Sequence, residues 1–449
     1  MSDLLSIGAS GVRAYQTALS TVSENIANTG TAGYTRRTTK LTEVSSVGGG
    51  LNARISSTGS GVLVVGVGRS ANAYRSQAVR SAGTDLGKTE TSVAWMSRIE
   101  SSLTDNKLGD SLTSFFSSAQ TLAADPTSVP ARAVMLETAK TVAAAFTATG
   151  KALETAATEL DSSATQAVSS LNSFGTALAK VNDGLARTPP GSSSAAQLAD
   201  ERDRLLDQMS TLTGVSATFD DLGRATVRLG GPTDAVFVVG NDSGQASFAR
   251  NADGAVQFTM TRGGVASDLS PAGGALAGMA EGAQRIAAAR QSLGLVAGDF
   301  VKQVNDVQAQ GVDLDAKAGT ALFAADPTTP TDMSVVLSDP RGIAAARVGG
   351  GARDSSNLAE LQKVRGTGGF EASTTSLIAG NAAALEQRKT VAEAQGAIRD
   401  GAVSALASAS GVDLDSEAVD LLRFQQAYQA SSRVIQAARD TFQSILEIR

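Results

Sequence analysis

The chain has 449 residues, with 38 Lys and Arg against 44 Asp and Glu, and a formal net charge of −6. A phosphate-binding surface needs clustered Lys and Arg, so this balance argues against a nucleic-acid-binding protein. Cys and His are absent, which excludes disulfides and the usual zinc and iron–sulfur sites. The length allows several domains. Aromatic residues are only 4%, so we expect close helix packing by small side chains and surfaces shared between subunits.

Near the N-terminus, apolar or small residues recur in alternating steps of four and three, which predicts one narrow seam along a helix. The seam consists of Leu5, Gly8, Val12, Tyr15, Leu19, Val22 and Ile26. We predict that the helix stops around Asn28, with Gly30 as a left-handed cap. Gly33 then permits a sharp turn, and Tyr34 and Arg36 follow it.

The next part of the chain predicts long helices. Residues 38–68 are rich in Gly, Ser, Thr and Val and predict an extended stretch or a short hairpin. Helices are then predicted at 71–103, 108–122, 130–187 and 195–212. The third would span roughly 80 Å at ~1.5 Å per residue. A rod of that length buries its apolar stripe only against other long helices.

A change of pattern marks residues 215–264, where β-type alternation is interrupted by turn signals. This pattern predicts a small β-rich domain inserted between helices, facing outward and farthest from the chain ends. Helix is predicted again at 274–310. A stretch rich in Pro and Gly at 311–369 predicts loops with short elements, and a further helical region follows at 375–408.

A second seam reaches the C-terminus with the same stepping as the first. It consists of Leu421, Phe424, Tyr428, Ser431, Ile435, Ala438, Phe442 and Ile445. We predict Asp415 or Ser416 as the N-cap of this last helix. Chain ends usually fray, and each helix leaves its seam uncovered unless it finds a partner. We therefore predict that the terminal helices pair and that neighbouring molecules complete their seams.

The predicted fold is mainly α with an inserted β-rich domain. Residues 1–40 and 410–449 form paired, coiled-coil-like terminal helices. Residues 41–213 and 274–409 form a long-helix bundle, and residues 214–273 form the outer β domain.

Two runs resemble those of a known family. Residues 27–36 read Ala-Asn-Thr-Gly-Thr-Ala-Gly-Tyr-Thr-Arg and resemble the N-terminal signature of the flagellar axial proteins, the rod, hook and hook-associated proteins. Residues 417–435 resemble the C-terminal signature of the hook-associated proteins of the hook–filament junction. The two signatures stand in the expected order at the two ends, whereas the middle of the chain is similar only in layout.

The resemblance implies a structural component of the bacterial flagellum that joins hook to filament. It implies self-association in a ring or helical layer, contacts with hook protein and with a second junction protein, hook-associated protein 3, and an export chaperone. It also implies an extracellular place in the flagellum, reached by type III export without a cleaved signal peptide. The N-terminus carries Asp3 where a secretory signal would be positive, and no segment approaches the ~20 apolar residues of a membrane helix.

The assembly interface expected from these patterns combines the two seams with the turn between them. Its residues are Leu5, Val12, Tyr15, Leu19, Val22, Ile26, Asn28, Gly30, Gly33, Tyr34, Arg36, Leu421, Phe424, Tyr428, Ile435, Phe442 and Ile445.

No catalytic, cofactor or metal site is predicted. Neither Ser-x-x-Lys nor Gly-x-Ser-x-Gly occurs. The Asp pairs at 313/315 and 413/415 lack the Gly and Glu of a calcium loop. The charge run 200–204 is interpreted as a solvated face on which Asp200 and Arg204 pair. We therefore expect a structural protein and not an enzyme.

Other interpretations stay open at this point. Another axial protein, hook or distal rod, would share both end signatures, although rod proteins are generally shorter and hook proteins are mostly β beyond their ends. The long helical pattern at 130–212 favours a junction protein. Alternatives from other classes are a secreted helical effector or adhesin with coiled-coil ends, and an enzyme located in the β insert.

Overall fold

The structure is a computed structural model that describes residues 2–44, 61–230 and 234–447, without the side chains of residues 2, 3, 445 and 446. Its helices are α1 (Ser2–Ala27), α2 (Ala73–Thr104), α3 (Leu108–Ala124), α4 (Val129–Arg187), α5 (Ser193–Leu212), α6 (Gly274–Gln310), α7 (Ser356–Gly368), α8 (Phe370–Ser410) and α9 (Leu414–Glu447). The fold is therefore mainly helical, and each predicted helix is present.

The strands are short. They are β1 (Arg37–Glu43), β2 (Val62–Arg69), β3 (Val215–Phe219), β4 (Ala225–Leu229), β5 (Val236–Val239), β6 (Asp242–Ser243), β7 (Gln245–Arg250), β8 (Val256–Arg262), β9 (Val265–Leu269), β10 (Gly311–Val312), β11 (Phe323–Ala325), β12 (Met333–Val335) and β13 (Ala346–Arg347). Strands β1 and β2 pair antiparallel, as the hairpin prediction requires. The part of that prediction at 45–60 lies outside the described residues.

Helix α4 is the longest element, with 59 residues, or roughly 90 Å at ~1.5 Å per residue. It begins where the Ser128 side chain accepts the backbone N–H of Ala131, with Pro130 in the first turn. It ends just before the pair Pro189-Pro190, which cannot continue a helix. Its buried stripe packs against α3, α5 and α6.

An aromatic cluster fills the space between α3, α6 and the first turn of α8. Phe115, Phe116, Phe300, Phe323 and Phe370 are all at most 1% exposed. The Phe300 ring lies at the centre, with its centroid 5.2 Å from that of Phe323 and 5.4 Å from that of Phe370. Edge-to-face and tilted contacts of this kind add to the free energy gained by burial. The helical body thus completes a dense core within one chain.

The β insert consists of two antiparallel sheets, in the strand orders β3-β4-β5-β6 and β7-β8-β9. It packs directly against α4, where a Cβ on Gly175 would lie 2.6 Å from the Phe237 ring. Phe237 is fully buried. Buried residues of the sheets and the helices form one continuous cluster, so the insert shares its core with the helical body.

Asparagine side chains on the helices hold the strands. Asn172 accepts the N–H of Ala246 at 2.7 Å and donates to its C=O at 2.9 Å. Asn182 does the same with Ala225, at 2.8 Å for both bonds. Asn305 makes the same two bonds with the backbone of Phe323 in β11. An amide side chain carries one acceptor and a donor group, so it can pair with a strand residue as a neighbouring strand would.

The position of the insert corrects the predicted layout. Its hydrogen bonds to α4 run from Ala157, whose C=O accepts from Arg250, to Asn182. The 311–347 segment packs at the N-terminal end of α4, where buried Arg132 donates to the C=O of Ile343 at 2.6 Å. The expectation that the insert lies farthest from the termini is therefore wrong, since along α4 the loop-rich segment is farther. The sequence of a loop-rich segment does not show at which end of a long helix that segment packs.

The C-terminal end of α4 leads to the part of the molecule that holds both termini. There the N–H of Val67 in β2 donates to the C=O of Gly191 at 2.6 Å. Helices α1 and α9 pack antiparallel, and the β1–β2 hairpin packs on α1. The N-cap of α9 is Asp413, which accepts the N–H of Ser416 at 2.8 Å. The predicted cap at Asp415 or Ser416 was two or three residues too late, because the helix begins before its apolar stripe.

Candidate functional site

The two predicted seams face each other within the single chain. The rings of Tyr15 and Phe424 have centroids 6.3 Å apart. Gly8 lies opposite Ile435, and a Cβ there would be 2.7 Å from Ile435 Cγ1. Gly11 lies opposite Ser431 in the same way. The glycines let the two helices approach closely, which a larger residue would prevent.

The fully buried line of α1 is offset by about one residue from the predicted seam. It is made of Gly8, Gly11, Ala14, Ala18, Thr21, Val22 and Asn25. Helix α1 lies between α9 and the hairpin, so small side chains point into the space that the three elements share. The hairpin side is marked by Thr39, whose hydroxyl donates to that of Thr21 at 2.9 Å. The large members of the seam other than Val22 therefore flank the buried line.

Most large residues of both seams are only half-buried. On α1 these are Val12, Tyr15 and Leu19, and on α9 they are Leu421, Phe424, Tyr428 and Ile435. Leu5 and Ile26 are 45% and 37% exposed, and Phe442 is 57% exposed. The side chain of Ile445 lies outside the described residues. Each helix covers one side of the other, and the second side of each seam faces outward.

The turn after α1 has the predicted backbone. Gly30 has φ +78° and Gly33 has φ +80°, a region that residues with a Cβ seldom adopt. The Asn28 side chain donates to the C=O of Glu24 at 2.8 Å. The Tyr34 hydroxyl donates to Asn25 Oδ1 at 2.8 Å, and burial raises the pKa of Tyr34. The turn is therefore tied back onto the helix that precedes it.

Asn25 is the centre of this site and is fully buried. Its Oδ1 accepts the N–H of Arg37 at 3.0 Å, and its Nδ2 donates to the C=O of Arg37 at 2.8 Å. Nδ2 also donates to Glu417 Oε2 at 3.0 Å. One side chain thus joins the end of α1, the start of β1 and the first turn of α9.

Glu417 and Arg36 form the ion pair that links the two termini. Arg36 Nε lies 2.6 Å from Glu417 Oε1, and Arg36 Nη2 lies 3.2 Å from Asp420 Oδ2. The Glu417 side chain is 0% exposed, whereas that of Arg36 is 27% exposed. The backbone of Arg36 is also held, because its N–H donates to the C=O of Ser410 and its C=O accepts the N–H of Ser70, both at 2.9 Å.

A second group of ion pairs connects the hairpin to α5. Asp200 lies 3.2 Å from Arg37 and 2.8 Å from Arg69, and Asp203 lies 2.7 Å from Arg69. The predicted Asp200–Arg204 pair is wrong, since Arg204 bonds to Glu201 instead. Asp200 points toward the hairpin, which the sequence spacing along α5 could not show. Together, Asn25, Arg36, Arg37, Arg69, Asp200 and Glu417 form what we call the joint network.

Of the joint network, the sequence pattern singled out only Arg36 as a site residue. One signal was available for Asn25, because it follows Ala14, Ala18 and Thr21 on the small-residue face of the helix. A buried amide must find hydrogen-bond partners, so the position of Asn25 predicts a polar contact. That partner is Glu417, which lies 392 positions away in the chain, so the local sequence could not identify it.

Several acidic side chains in the described part of the chain close turns or form ion pairs. Among those residues, no group of three or more acidic side chains is arranged to hold a metal ion. The Asp313 carboxylate instead accepts the N–H groups of Asp315 and Lys317, which closes a turn. Within the same residues, no helix is long and apolar enough to cross a membrane.

Comparison with known proteins identifies the family. Residues 96–323, half of the chain, match the family model described as flagellar hook-associated protein FlgK helical domain. The chain belongs to this FlgK family. Residues 403–448 also match the model described as flagellar basal body rod FlgEFG protein C-terminal. The resemblance read from the two ends of the sequence is confirmed.

Relatives and one solved structure agree with this assignment. Flagellar hook-associated protein 1 of Salmonella typhimurium is 29% identical over 344 residues, with 72% of this chain and 60% of the relative covered. The protein of the same name from Escherichia coli is 24% identical over the full length of both chains. The hook junction protein FlgK from Burkholderia pseudomallei has a TM-score of 0.50 and 25% identity, covering 56% of this chain and 47% of that one. The chain thus spans 60% of the length of the Salmonella relative that it matches.

Proposed function

We propose that the chain is a structural component of the bacterial flagellum, an adaptor at the junction of hook and filament. The observation that carries the proposal is the match of half of the chain to the FlgK helical domain, together with terminal helices whose seams stay half-exposed in the single chain. Relatives that are aligned over nearly their whole length bear the name flagellar hook-associated protein 1.

The proposed mechanism is assembly through the paired terminal helices. Apolar groups left uncovered by one chain include Leu4, Leu5 and Phe442 at the outer end of the pair, and Val419 and Leu422 near the other end. Covering them with neighbouring molecules gains ~25 cal/mol per Å² of apolar surface. That gain offsets the cost of ordering chain ends that would otherwise fray.

Three functional parts follow from this proposal. Residues 1–40 and 410–449 form the inner part that assembles, together with the remainder of the β1–β2 hairpin, which packs on α1. The helices of 41–213 and 274–409 form the helical body, and residues 214–273 form an insert on its side. The proposed assembly interface is the set of seam and turn residues named from the sequence. The joint network supports this interface from within the chain, because it fixes how α9 packs on α1.

The proposed partners are further copies of the chain in a ring or helical layer, hook protein, hook-associated protein 3 and an export chaperone. The proposed place is extracellular, at the hook–filament junction, reached by export without a cleaved signal peptide. The names of the relatives support this place. No catalytic role is proposed, since the family is one of structural flagellar proteins.

Deletion of the gene tests the proposal by electron microscopy and a swimming assay. We expect cells with hooks that lack filaments, and restoration of filaments by the wild-type gene. Restoration should fail with Leu421→Asp/Phe424→Asp, which places charge in the seam, and should succeed with the matched control Gln425→Asp on the exposed side of α9. Filaments of normal number on deletion strains would refute the proposal.

A second candidate is another axial protein, hook or distal rod. The match of residues 403–448 to the rod-protein C-terminal model favours it. The same deletion distinguishes the two, because loss of a rod or hook protein would remove the hook itself.

A further inference from the structure

The outer face of α8 is left uncovered by the described elements of the chain. Helix α8 lies on α2, where the Asn381 side chain donates to the C=O of Met96 at 3.1 Å. Further along, Arg75 donates to the C=O of Ala405 at 2.6 Å, so the two helices run antiparallel. Residues 386–409 are all described, and none of them is fully buried. The side of α8 turned away from α2 therefore stays exposed over several helical turns.

Exposed, uncharged residues follow each other on that side in steps of four and three. They are Thr390, Ala394, Ala397, Gly401, Ser404 and Ser408. This seven-residue repeat is that of a coiled-coil seam, and its small side chains let a second helix approach closely. An apolar row of Val391 and Ile398, which are 38% and 64% exposed, lies along one flank. An acidic row of Glu386, Glu393 and Asp400 lies along the other flank.

The two flanks determine what kind of surface can cover this face. If α8 packed on α8 of another copy, an antiparallel pair would set acidic row against acidic row. A parallel pair would set the acidic row against Val391 and Ile398, which would take carboxylates out of water without a partner. The face therefore fits a different surface. Contacts between unlike surfaces of identical chains close into rings or wind into helical layers.

A groove between α4 and β7 has the properties that this face requires. Its volume is about 730 Å³, and its α4 side is formed by small polar residues from Thr165 to Thr176. Half-buried Phe248 offers an apolar contact on the β7 side. Lys180 is exposed at one end, and the described residues that line the groove include no carboxylate. Because Asn172 holds the backbone of β7 against α4, the groove is already formed in the single chain.

The groove and the outer face of α8 lie at the same height along the helical body. Arg98 of α2 pairs with Glu159 of α4 at 2.7 Å, close to where Asn381 of α8 reaches α2. Both α4 and α8 run from that level toward the N-terminal end of α2. Since the rise per residue is the same in each helix, Asp400 of α8 is about level with Lys180 of α4.

We propose that the outer face of α8 docks into the α4–β7 groove of a second copy of the chain, with Asp400 facing Lys180 of that copy. The contact rests on the proposed function and deepens it, because it carries the assembly interface from the terminal helices onto the helical body. Two surfaces at equal height let the contact repeat around a ring without a shift along its axis. The acidic row then meets a lysine and hydroxyl groups, and no like charge.

The chain has no Cys, so introduced cysteine pairs report the contact directly. The first pair is Ala394→Cys with Ser173→Cys, and the second is Ala397→Cys with Thr176→Cys, all at exposed positions. The control pair joins Ala394→Cys to Thr155→Cys, which is also exposed on α4 but lies ~27 Å along the helix from residue 173. Flagella from the deletion strain carrying each variant are purified, oxidised with copper phenanthroline and analysed by non-reducing gel electrophoresis and immunoblotting.

We expect both pairs to give a ladder of crosslinked dimers and larger oligomers, with about tenfold more dimer than the control pair. A disulfide forms only where two Cα atoms come within ~7 Å, so the ladder requires the proposed contact. Adding Asp400→Lys should lower the yield by about two- to fivefold, because like charges then face each other, and Lys180→Asp should restore it.

The failures of the contact and of the proposed function are distinguishable. Flagella that contain the chain but give no ladder from either pair would overturn the contact alone. A charge reversal at residue 400 that Lys180→Asp does not correct would do the same. Flagella in which the immunoblot finds no chain would overturn the proposed function together with the contact.

Discussion

The two ends of the long helical body solve the same packing problem in different ways. Around Phe300, phenylalanine rings from several elements close into a core in which each is at most 1% exposed. Between α1 and α9, the rings are those of Tyr15, Phe424 and Tyr428, which are half-buried, and Phe442, which is 57% exposed. The helical body has enough apolar surface within one chain to complete its core. In the terminal pair, two helices contact each other and the apolar residues beside that contact stay exposed.

Polar contacts specify the arrangement where packing is thin. Asn182 in the body and Asn25 in the terminal part are both fully buried and both clamp the N–H and C=O of one strand residue. Only Asn25 also bonds to a carboxylate, that of Glu417. Buried ion pairs contribute little net stability but can fix how elements meet. The joint network therefore fixes the register of the terminal pair, and under the proposed function neighbouring molecules supply the burial that the pair lacks.

The largest expected effect is a loss of stability when the aromatic cluster is opened. Phe300→Ala should lower the free energy of unfolding by about 3–5 kcal/mol, because it leaves a cavity among five other rings. Thermal or denaturant unfolding of the dissolved chain measures it. The matched control Phe442→Ala should change stability by less than about 0.5 kcal/mol. Similar losses for both would show that the terminal pair is as well packed as the body.

A smaller effect is expected from widening the contact of the terminal pair. A Cβ at Gly8 would already lie 3.3 Å from the backbone N of Ile435 and from the backbone O of Ser431, so the larger side chain of Gly8→Val would collide with α9. We expect a local loss of about 1–3 kcal/mol, seen as faster proteolysis within α9 at an unchanged unfolding temperature of the body.

Gly380→Val is the control for this change, because a Cβ at Gly380 would meet no atom within 4 Å. It brings the same change in helix propensity without the steric conflict. Equal proteolysis of the two variants would mean that close approach at Gly8 is not what holds α9 in place.

The smallest effect concerns pH at the contact of α5 with α2. Burial raises the pKa of Asp207 from 3.8 to about 6, while Arg80 of α2 lowers it and Asp203 of α5 raises it. Because the folded value exceeds the unfolded one, this carboxyl contributes stability that is present below pH 3.8 and lost as the pH rises through about 6. Asp207→Asn should therefore stabilise the chain slightly at pH 7.5.

The measurement is the difference in unfolding temperature between wild type and Asp207→Asn at several pH values. The difference should shrink as the pH falls from 7.5 toward 4, since the wild-type carboxyl then becomes neutral like the amide. A difference that stays constant with pH would show that Asp207 titrates normally. The comparison uses the difference because other carboxyl groups change the absolute stability in acid.

The sequence by itself determined most of the helices and the turn after α1, although α7 lies in a stretch predicted as loops with short elements. The apolar period of 3.6, the prolines after α4 and the left-handed glycines at 30 and 33 act over a few residues, so the helices and the turn before Tyr34 could be predicted closely. The two end signatures likewise pointed to the family. The half-buried state of the seams was foreseen as an incomplete contact, because two helices alone cover only one side of each other.

Only the tertiary structure decided which residues meet across the chain. The spacing of the apolar residues predicted a contact line along α1. It did not show that the buried line runs through Gly11, Ala14 and Ala18, because that position depends on α1 lying between α9 and the hairpin. The partners of Asn25, Asp200 and Glu417 lie on other elements, and no local pattern encodes a contact made across hundreds of residues. The position along α4 at which the insert packs could not be predicted for the same reason, because it depends on contacts between distant parts of the chain.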